Sequence, residues 1–275
     1  MNIVKQSPTV LVFDSGIGGL SIYNEIYNKI PNLHYIYAFD NEGFPYGDKS
    51  SEYLIIRVNR IIATILQSYS IDLAVIACNT ASTICLPSLR TNFTFPIVGV
   101  VPAIKPASKV TKNKCIGLLA TKATIQRAYT NNLIQEFAPD CSVKLLGLSE
   151  LAHIAENKLQ GIAVDMQQLE TLLLPWLNLS TIPDTIVLGC THYPFIKDEL
   201  KILFPNTTFI DSGYAIASRV NTLLNDQYDL NSLSELSTLD NIVISTLHNQ
   251  QVEKLTKKFT EYNLNKYHCI SIYAD

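Results

Sequence analysis

At 275 residues, with 47% hydrophobic and 16% charged side chains, the chain can bury one large core or two medium ones. A net charge of −3, with no basic run, argues against an electrostatic role on nucleic acid or a membrane surface. The opening "MNIVKQSPTVLVFDSG" ends its apolar run at Asp14, unlike a signal peptide, and no apolar stretch is long enough to span a bilayer. The expected location is the cytoplasm.

Short β-branched runs alternate with longer amphipathic ones. In chain order, strands are predicted at "TVLVF" (9–13), "LHYIYAF" (33–39), "LAVIAC" (73–78) and "FPIVGVV" (95–101), with helices at 18–30, 51–68 and 80–90 between them. The pattern then restarts. "CIGLLA" (115–120), "VKLLGL" (143–148), "TIVLGC" (185–190) and "TTFID" (207–211) read as strands, with helices near 123–137, 149–159, 165–177 and 194–203. A final strand, helix and strand are expected at 241–247, 250–261 and 268–273. Alternation of this kind implies mainly parallel sheets covered by helices, with ligands held outside the carboxyl ends of the strands.

The restart has the character of an internal repeat. Asp14 and Thr121 close equivalent strands, and "ACNTAS" and "GCTHYP" place Cys78 and Cys190 at equivalent strand ends. Each cysteine is followed by polar groups and then a helical pattern. The fold class expected is therefore α/β, with two pseudo-symmetric doubly wound halves facing each other across a cleft.

A thiol entering a helix N-terminus has a lowered pKa, and the neighbouring hydroxyls and N–H groups make an anion site. One such thiol suggests a nucleophile. Two on opposite walls suggest an acid and a base on opposite faces of one carbon, as inversion of a stereocentre requires. Cys85, Cys115, Cys141 and Cys269 read instead as small core residues. The six cysteines have irregular spacing and include no C-x-x-C, so reduced thiols are expected, with no metal site. Asp14 can cap a helix or serve as a charged partner in the cleft. The glycines of "SGIGGL" match neither dinucleotide nor P-loop patterns. His192 is placed to tune or relay a proton at Cys190. The loop "FPYGDKS" (44–50) can offer the Tyr46 hydroxyl and the Gly47 N–H to an anion.

With these residues assembled, the chain closely resembles the cofactor-independent glutamate racemases of the aspartate/glutamate racemase superfamily. The resemblance rests on "FDSGIGGLS" (13–21), "PYGDKS" (45–50), "ACNTAS" (77–82), "GLLATKAT" (117–124), "ELAHIAENKL" (150–159), "LGCTHYP" (188–194) and "DSG" (211–213), in family order over nearly the whole chain. It implies one α/β domain from 1–98 plus 213–275, a second from 99–212, and an active site between them. It further implies that Cys78 takes the α-proton of D-glutamate and Cys190 that of L-glutamate, assisted by Asp14, His192 and Glu156. Asp14, Ser15, Pro45, Tyr46, Gly47, Asn79, Thr80, Thr121, Thr191 and His192 would hold the substrate, with no cofactor. "GVVPAIKPA" (99–107) carries Val101-Pro102 where many members have Glu-Pro, which resembles the Gram-negative branch activated by UDP-N-acetylmuramoyl-L-alanine. "LGLSE" (146–150) lacks the Cys-Pro often found there. The cysteine pair by itself also fits an aspartate racemase or another isomerase or decarboxylase of the superfamily. A protein-binding role with a vestigial site is the alternative from a different class. Monomer and homodimer are both open.

Overall fold

The computed structural model describes residues 7–228, Leu230 and 239–272. Among these described residues ten strands form two sheets, parallel throughout. The first holds Thr9–Asp14 (β1), His34–Phe39 (β2), Leu73–Ile76 (β3), Ile97–Gly99 (β4), Ile242–Ser245 (β9) and Lys266–Cys269 (β10), in the order β10-β9-β2-β1-β3-β4. The second holds Cys115–Ala120 (β5), Ser142–Gly147 (β6), Thr185–Gly189 (β7) and Thr208–Ile210 (β8), in the order β6-β5-β7-β8. The block β2-β1-β3-β4 thus reappears as β6-β5-β7-β8, which is the repeat legible in the sequence. The chain is α/β, as expected.

The helices are Leu20–Lys29 (α1), Ser51–Leu66 (α2), Asn79–Asn92 (α3), Ile104–Val110 (α4), Lys122–Ile125 (α5), Ala128–Phe137 (α6), Glu150–Leu159 (α7), Met166–Leu177 (α8), Lys197–Leu203 (α9), Gly213–Asn225 (α10) and Gln250–Glu261 (α11). Strand periodicity divides each sheet's core into two layers. Val10 and Val12 of β1 face Leu20, Tyr23 and Ile26 of α1, with Val220 of α10 and Phe259 of α11. Leu11 and Phe13 face the other way, toward Leu54, Val58 and Ile61 of α2 and Leu89 of α3. In the second sheet Ile186 and Leu188 pack with Leu151, Leu169 and Trp176, and Val187 with Ile104 and Ala107. Central strands buried on both faces explain why their sequences read as unbroken apolar runs.

Departures from the predicted elements have local causes. The helix expected at 123–137 breaks before α6, where Arg127 takes extended backbone and its guanidinium reaches Ser51 Oγ at 3.2 Å. The helix expected at 194–203 opens as a 3₁₀ turn, Tyr193–Ile196, before α9. The last strand lies at Lys266–Cys269 rather than 268–273, of which Tyr273 falls outside the described residues. β10 is a largely exposed edge strand, so its sequence is polar, while the apolar stretch after it supplies Ile272 to the core. Cys269, expected in the core, is consequently exposed, Cys85 and Cys115 are buried, Cys141 is half-buried, and all six thiols are free. α4 and α10 had no predicted counterpart. α4 carries Pro106 in its first turn, where a missing N–H costs no helical hydrogen bond.

One polar cluster fastens the first sheet together. Asp40, just past β2, is fully buried. Arg57 of α2 holds it with Nε at 2.5 Å and Nη2 at 2.7 Å, and the hydroxyls of Tyr46 (2.6 Å) and Thr246 (2.7 Å) also donate to it. The 44–47 loop and the chain after β9 are thereby tied to one carboxylate. Replacing Arg57 by Leu leaves that carboxylate buried without its counter-charge, and a stability loss of about 3–5 kcal/mol is expected in denaturant unfolding. A loss below about 1 kcal/mol would show that neutral donors suffice for Asp40.

Candidate active site

The carboxyl ends of β1, β3, β5 and β7 converge on one small cavity. It is lined by Ser15 after β1, Cys78, Asn79 and Thr80 after β3, Thr121 after β5, Cys190, Thr191 and His192 after β7, and Pro45, Tyr46 and Gly47. Phe44, Ser149, Ala152 and Gly189 complete the lining. Asp14 and Glu156 stand one layer behind the wall and touch the lining residues. The candidate catalytic and substrate-binding residues therefore lie in this cavity's lining or against it. Among the described residues, no group of three or more His, Cys, Asp or Glu side chains is disposed to hold a metal ion.

The two thiols arrive by equivalent routes but meet different surroundings. Cys78 is the N-cap of α3, and its sulfur accepts the Ala81 N–H at 3.5 Å. The lowered pKa expected there is not found. Burial pushes the Cys78 thiol well up, and the nearby Asp14 charge pushes the same way, against a weaker opposing pull from the helix N–H. Cys190 is followed by a 3₁₀ turn and not directly by an α-helix, so the cap geometry is not repeated. Its sulfur instead lies 3.7 Å from His192 Nδ1.

His192 is the centre of a charged relay. Its Nε2 lies 3.1 Å from Glu156 Oε1 and 3.2 Å from the Gly18 nitrogen, and only one of these can be its hydrogen bond. Burial disfavours charge on the ring, but the hydrogen bonds to Cys190 and Glu156 outweigh it and hold the imidazole pKa well above the ordinary range. In the protonated ring, Nε2–H donates to Glu156 and Nδ1–H points at the Cys190 sulfur. Glu156 is steadied from the other half by the Ile17 N–H at 3.1 Å. The glycines of "SGIGGL" allow this approach. A Cβ on Gly18 would strike the His192 ring, and one on Gly16 the Glu156 carboxylate.

Asp14 is fully buried, and desolvation raises its carboxyl pKa. The His192 charge, the Gly16 N–H at 2.9 Å and the Thr191 hydroxyl at 2.9 Å oppose that rise. The Tyr46 hydroxyl, expected to meet a ligand, donates to Asp40 instead, so Tyr46 contributes to the lining without a free hydroxyl. Phe44 packs against both the His153 and His192 rings, at 5.1 and 5.4 Å between centroids. Two buried polar atoms lack a protein partner among the described residues, Asn79 Nδ2 and Ser149 Oγ, and both belong to the cavity lining. Ser149 escaped the sequence reading because a serine ahead of an amphipathic run has the look of a helix cap.

This constellation has known counterparts. A family model described as Asp/Glu/hydantoin racemase matches residues 18–220. The chain belongs to this family. Among its relatives, a glutamate racemase of Pectobacterium atrosepticum is 58% identical over 218 residues, covering 79% of this chain and 76% of that protein. One of Serratia proteamaculans is 52% identical over 252 residues, covering 91% and 86%. Among solved structures, Escherichia coli glutamate racemase in complex with L-glutamate and the activator UDP-MurNAc-Ala superposes with a TM-score of 0.90 at 46% identity, over 96% of this chain and 98% of that one. A Bacillus anthracis glutamate racemase gives 0.83 at 30% identity, over 98% and 99%. The two-sheet α/β arrangement is thus the racemase fold.

Two outcomes follow from the charges in this site. Glu156→Gln removes one of the two partners that keep the proton on His192, so the imidazole pKa should fall, as read by ¹⁵N NMR of the ring. An unchanged titration would assign the effect to Cys190 alone. Asp14 binds its proton more tightly folded than unfolded, so stability falls as pH rises from the ordinary aspartate range to the raised value. Asp14→Asn should therefore raise the neutral-pH Tm by a few degrees and flatten that pH dependence, while lowering activity. A lower Tm would show that the Gly16 and Thr191 hydrogen bonds outweigh desolvation.

Proposed function

We propose that this protein interconverts L- and D-glutamate by a two-thiol, cofactor-independent mechanism. One observation carries the reading: two cysteines at equivalent strand ends, one from each sheet, line a single cavity. Identity above 50% to curated glutamate racemases supports glutamate over aspartate as substrate. The units 1–98 plus 213–275 and 99–212 form the two halves, each contributing one thiol. The work is cytoplasmic, since D-glutamate serves peptidoglycan synthesis. No helix among the described residues is long and apolar enough to cross a membrane.

In the L-to-D direction the Cα–H bond breaks and its proton passes to the Cys190 sulfur. The electron pair remains on the α-carbon and spreads into the adjacent carboxylate. The Cys78 S–H then delivers its proton to the opposite face. The reverse direction exchanges the roles. High pKa at Cys78 suits it to hold the proton that it must donate. The His192 imidazolium, facing the Cys190 sulfur, carries the compensating charge, with Glu156 behind it. The growing negative charge on the substrate carboxylate needs preorganised donors. Asn79 Nδ2 is buried, unpartnered and next to Cys78, and the hydroxyls of Thr80 and Thr121 belong to the same lining. The fully buried Asp14 carboxylate supplies negative charge opposite the substrate ammonium. The E. coli relative's activator, UDP-MurNAc-Ala, is the expected activator of this chain as well.

A chiral assay of the purified protein with both enantiomers of glutamate and aspartate tests the reading. Glutamate should equilibrate and aspartate should turn over far more slowly. Faster aspartate turnover would move the assignment to an aspartate racemase, and none with either substrate would favour a vestigial site. Cys78→Ala and Cys190→Ala should each cut turnover at least about a hundredfold with the fold intact. In D₂O, early product should carry α-deuterium and remaining substrate almost none, because each thiol is monoprotic. Extensive labelling of residual substrate would count against two bases.

A further inference from the structure

Of the two unpartnered buried atoms, Asn79 Nδ2 has a task in the reading above and Ser149 Oγ has none. Ser149 occupies the position before α7, where a serine hydroxyl ordinarily accepts an N–H of the first turn. Here its backbone is already helical (φ −63, ψ −25) and its side chain makes no cap hydrogen bond. It is only 9% exposed. A buried hydroxyl left unpaired is costly, so a partner is supplied from the space that it faces, and that space is the cavity.

Its neighbours define one end of the cavity. A Cβ built on Gly47 would lie 3.4 Å from Ser149 Oγ and 3.4 Å from Thr121 Cβ, so these three residues surround a common point. The Thr121 hydroxyl continues the row to Thr80 at 3.3 Å. The N-terminal end of the ten-residue α7 adds positive dipole character. The only acid in its first turn, Glu150, is half exposed and lies 3.8 Å from Lys122 Nζ. The α-carbon has to sit between the thiols, and Asn79 directly follows Cys78, so the Asn79 amide serves the α-carboxylate. The second orphan hydroxyl then answers the substrate's second carboxylate.

We propose that Ser149 donates a hydrogen bond to the distal carboxylate of the substrate and, with Gly47 and Thr121, forms the subsite that selects a five-carbon over a four-carbon amino dicarboxylate. This inference rests on the glutamate reading above.

The test uses the full chain with Ser149→Ala and Ser149→Thr. In the alanine variant, KM for both glutamate enantiomers should rise roughly tenfold, the scale of one hydrogen bond to a charged group. The loss should fall on KM more than on kcat, because the contact is the same in ground and transition states. Inhibition by glutarate should weaken by the same factor, and inhibition by butyrate, which lacks the second carboxylate, should hold. The threonine variant, which keeps the hydroxyl, should recover most of the affinity. Tm should stay level in both, whereas loss of a helix cap would lower it. Unchanged KM and glutarate inhibition in the alanine variant would overturn the proposal. So would equal weakening of glutarate and butyrate, or a fall in Tm with no change in KM. A wild-type protein that does not turn over glutamate would defeat the proposed function. An active wild type with an indifferent alanine variant defeats only the Ser149 subsite.

Discussion

The site depends on keeping the Asp14 carboxylate away from water. Its desolvation is opposed by groups from both halves of the molecule: the Gly16 N–H in its own loop, the Thr191 hydroxyl from the far strand end, and the His192 charge. The loop after β1 reaches across in return. Ser21 Oγ donates to the Thr191 carbonyl at 2.9 Å, and Ile17 N–H to Glu156. The Asp14 carboxylate thus takes hydrogen bonds from the strand ends of both sheets. Asp40, whose N–H donates to the Asp14 carbonyl at 3.0 Å, makes an instructive contrast. Asp14 ends β1 and Asp40 directly follows the neighbouring parallel strand β2, and both are fully buried. Asp40 is neutralised two-pronged by Arg57 and serves architecture. Asp14 has no such guanidinium, and its raised pKa is a stability cost.

Matching strands of the two sheets present one thiol each, in unlike surroundings. β3 and β7 hold matching places in their sheets, yet Cys78 caps an α-helix in a buried setting near an acid, while Cys190 faces the His192 ring with a carboxylate behind it. In the proposed two-thiol reading an acid and a base must differ in proton affinity at the moment of reaction, and these environments are where such a difference would reside. A pair of identical settings would compete for the same proton.

Much of this was legible in the sequence. Central strands announced themselves because burial on both faces leaves no polar alternation, and "ACNTAS" and "GCTHYP" marked the strand ends where ligands collect. What depended on tertiary surroundings was not. The cap position of Cys78 promised an acidic thiol, but desolvation, which no local pattern reports, dominates. The Tyr46 hydroxyl was assigned to a ligand because the sequence does not show that Asp40 lies beneath it. Ser149 has the sequence of a cap without its geometry. β10 was displaced because an exposed edge strand and the apolar segment beyond it exchange their compositional signals.

The unlike thiols also obey a thermodynamic limit. Enantiomeric substrates have equal free energy in water, so the equilibrium constant for racemisation is one. The ratio kcat/KM must then be the same in both directions, however asymmetric the protein. In the two-base reading, the imidazolium beside Cys190 and the buried acid near Cys78 cannot favour formation of one enantiomer at equilibrium. They can only divide kcat/KM differently between its two factors, by setting which protonation form of the free site predominates and hence which enantiomer binds it productively. The distal subsite is exempt from this division, because a carboxylate remote from the inverted carbon presents the same chemistry from either enantiomer. A symmetric anchor at one end and an asymmetric proton pair at the other is the arrangement that reversible inversion permits.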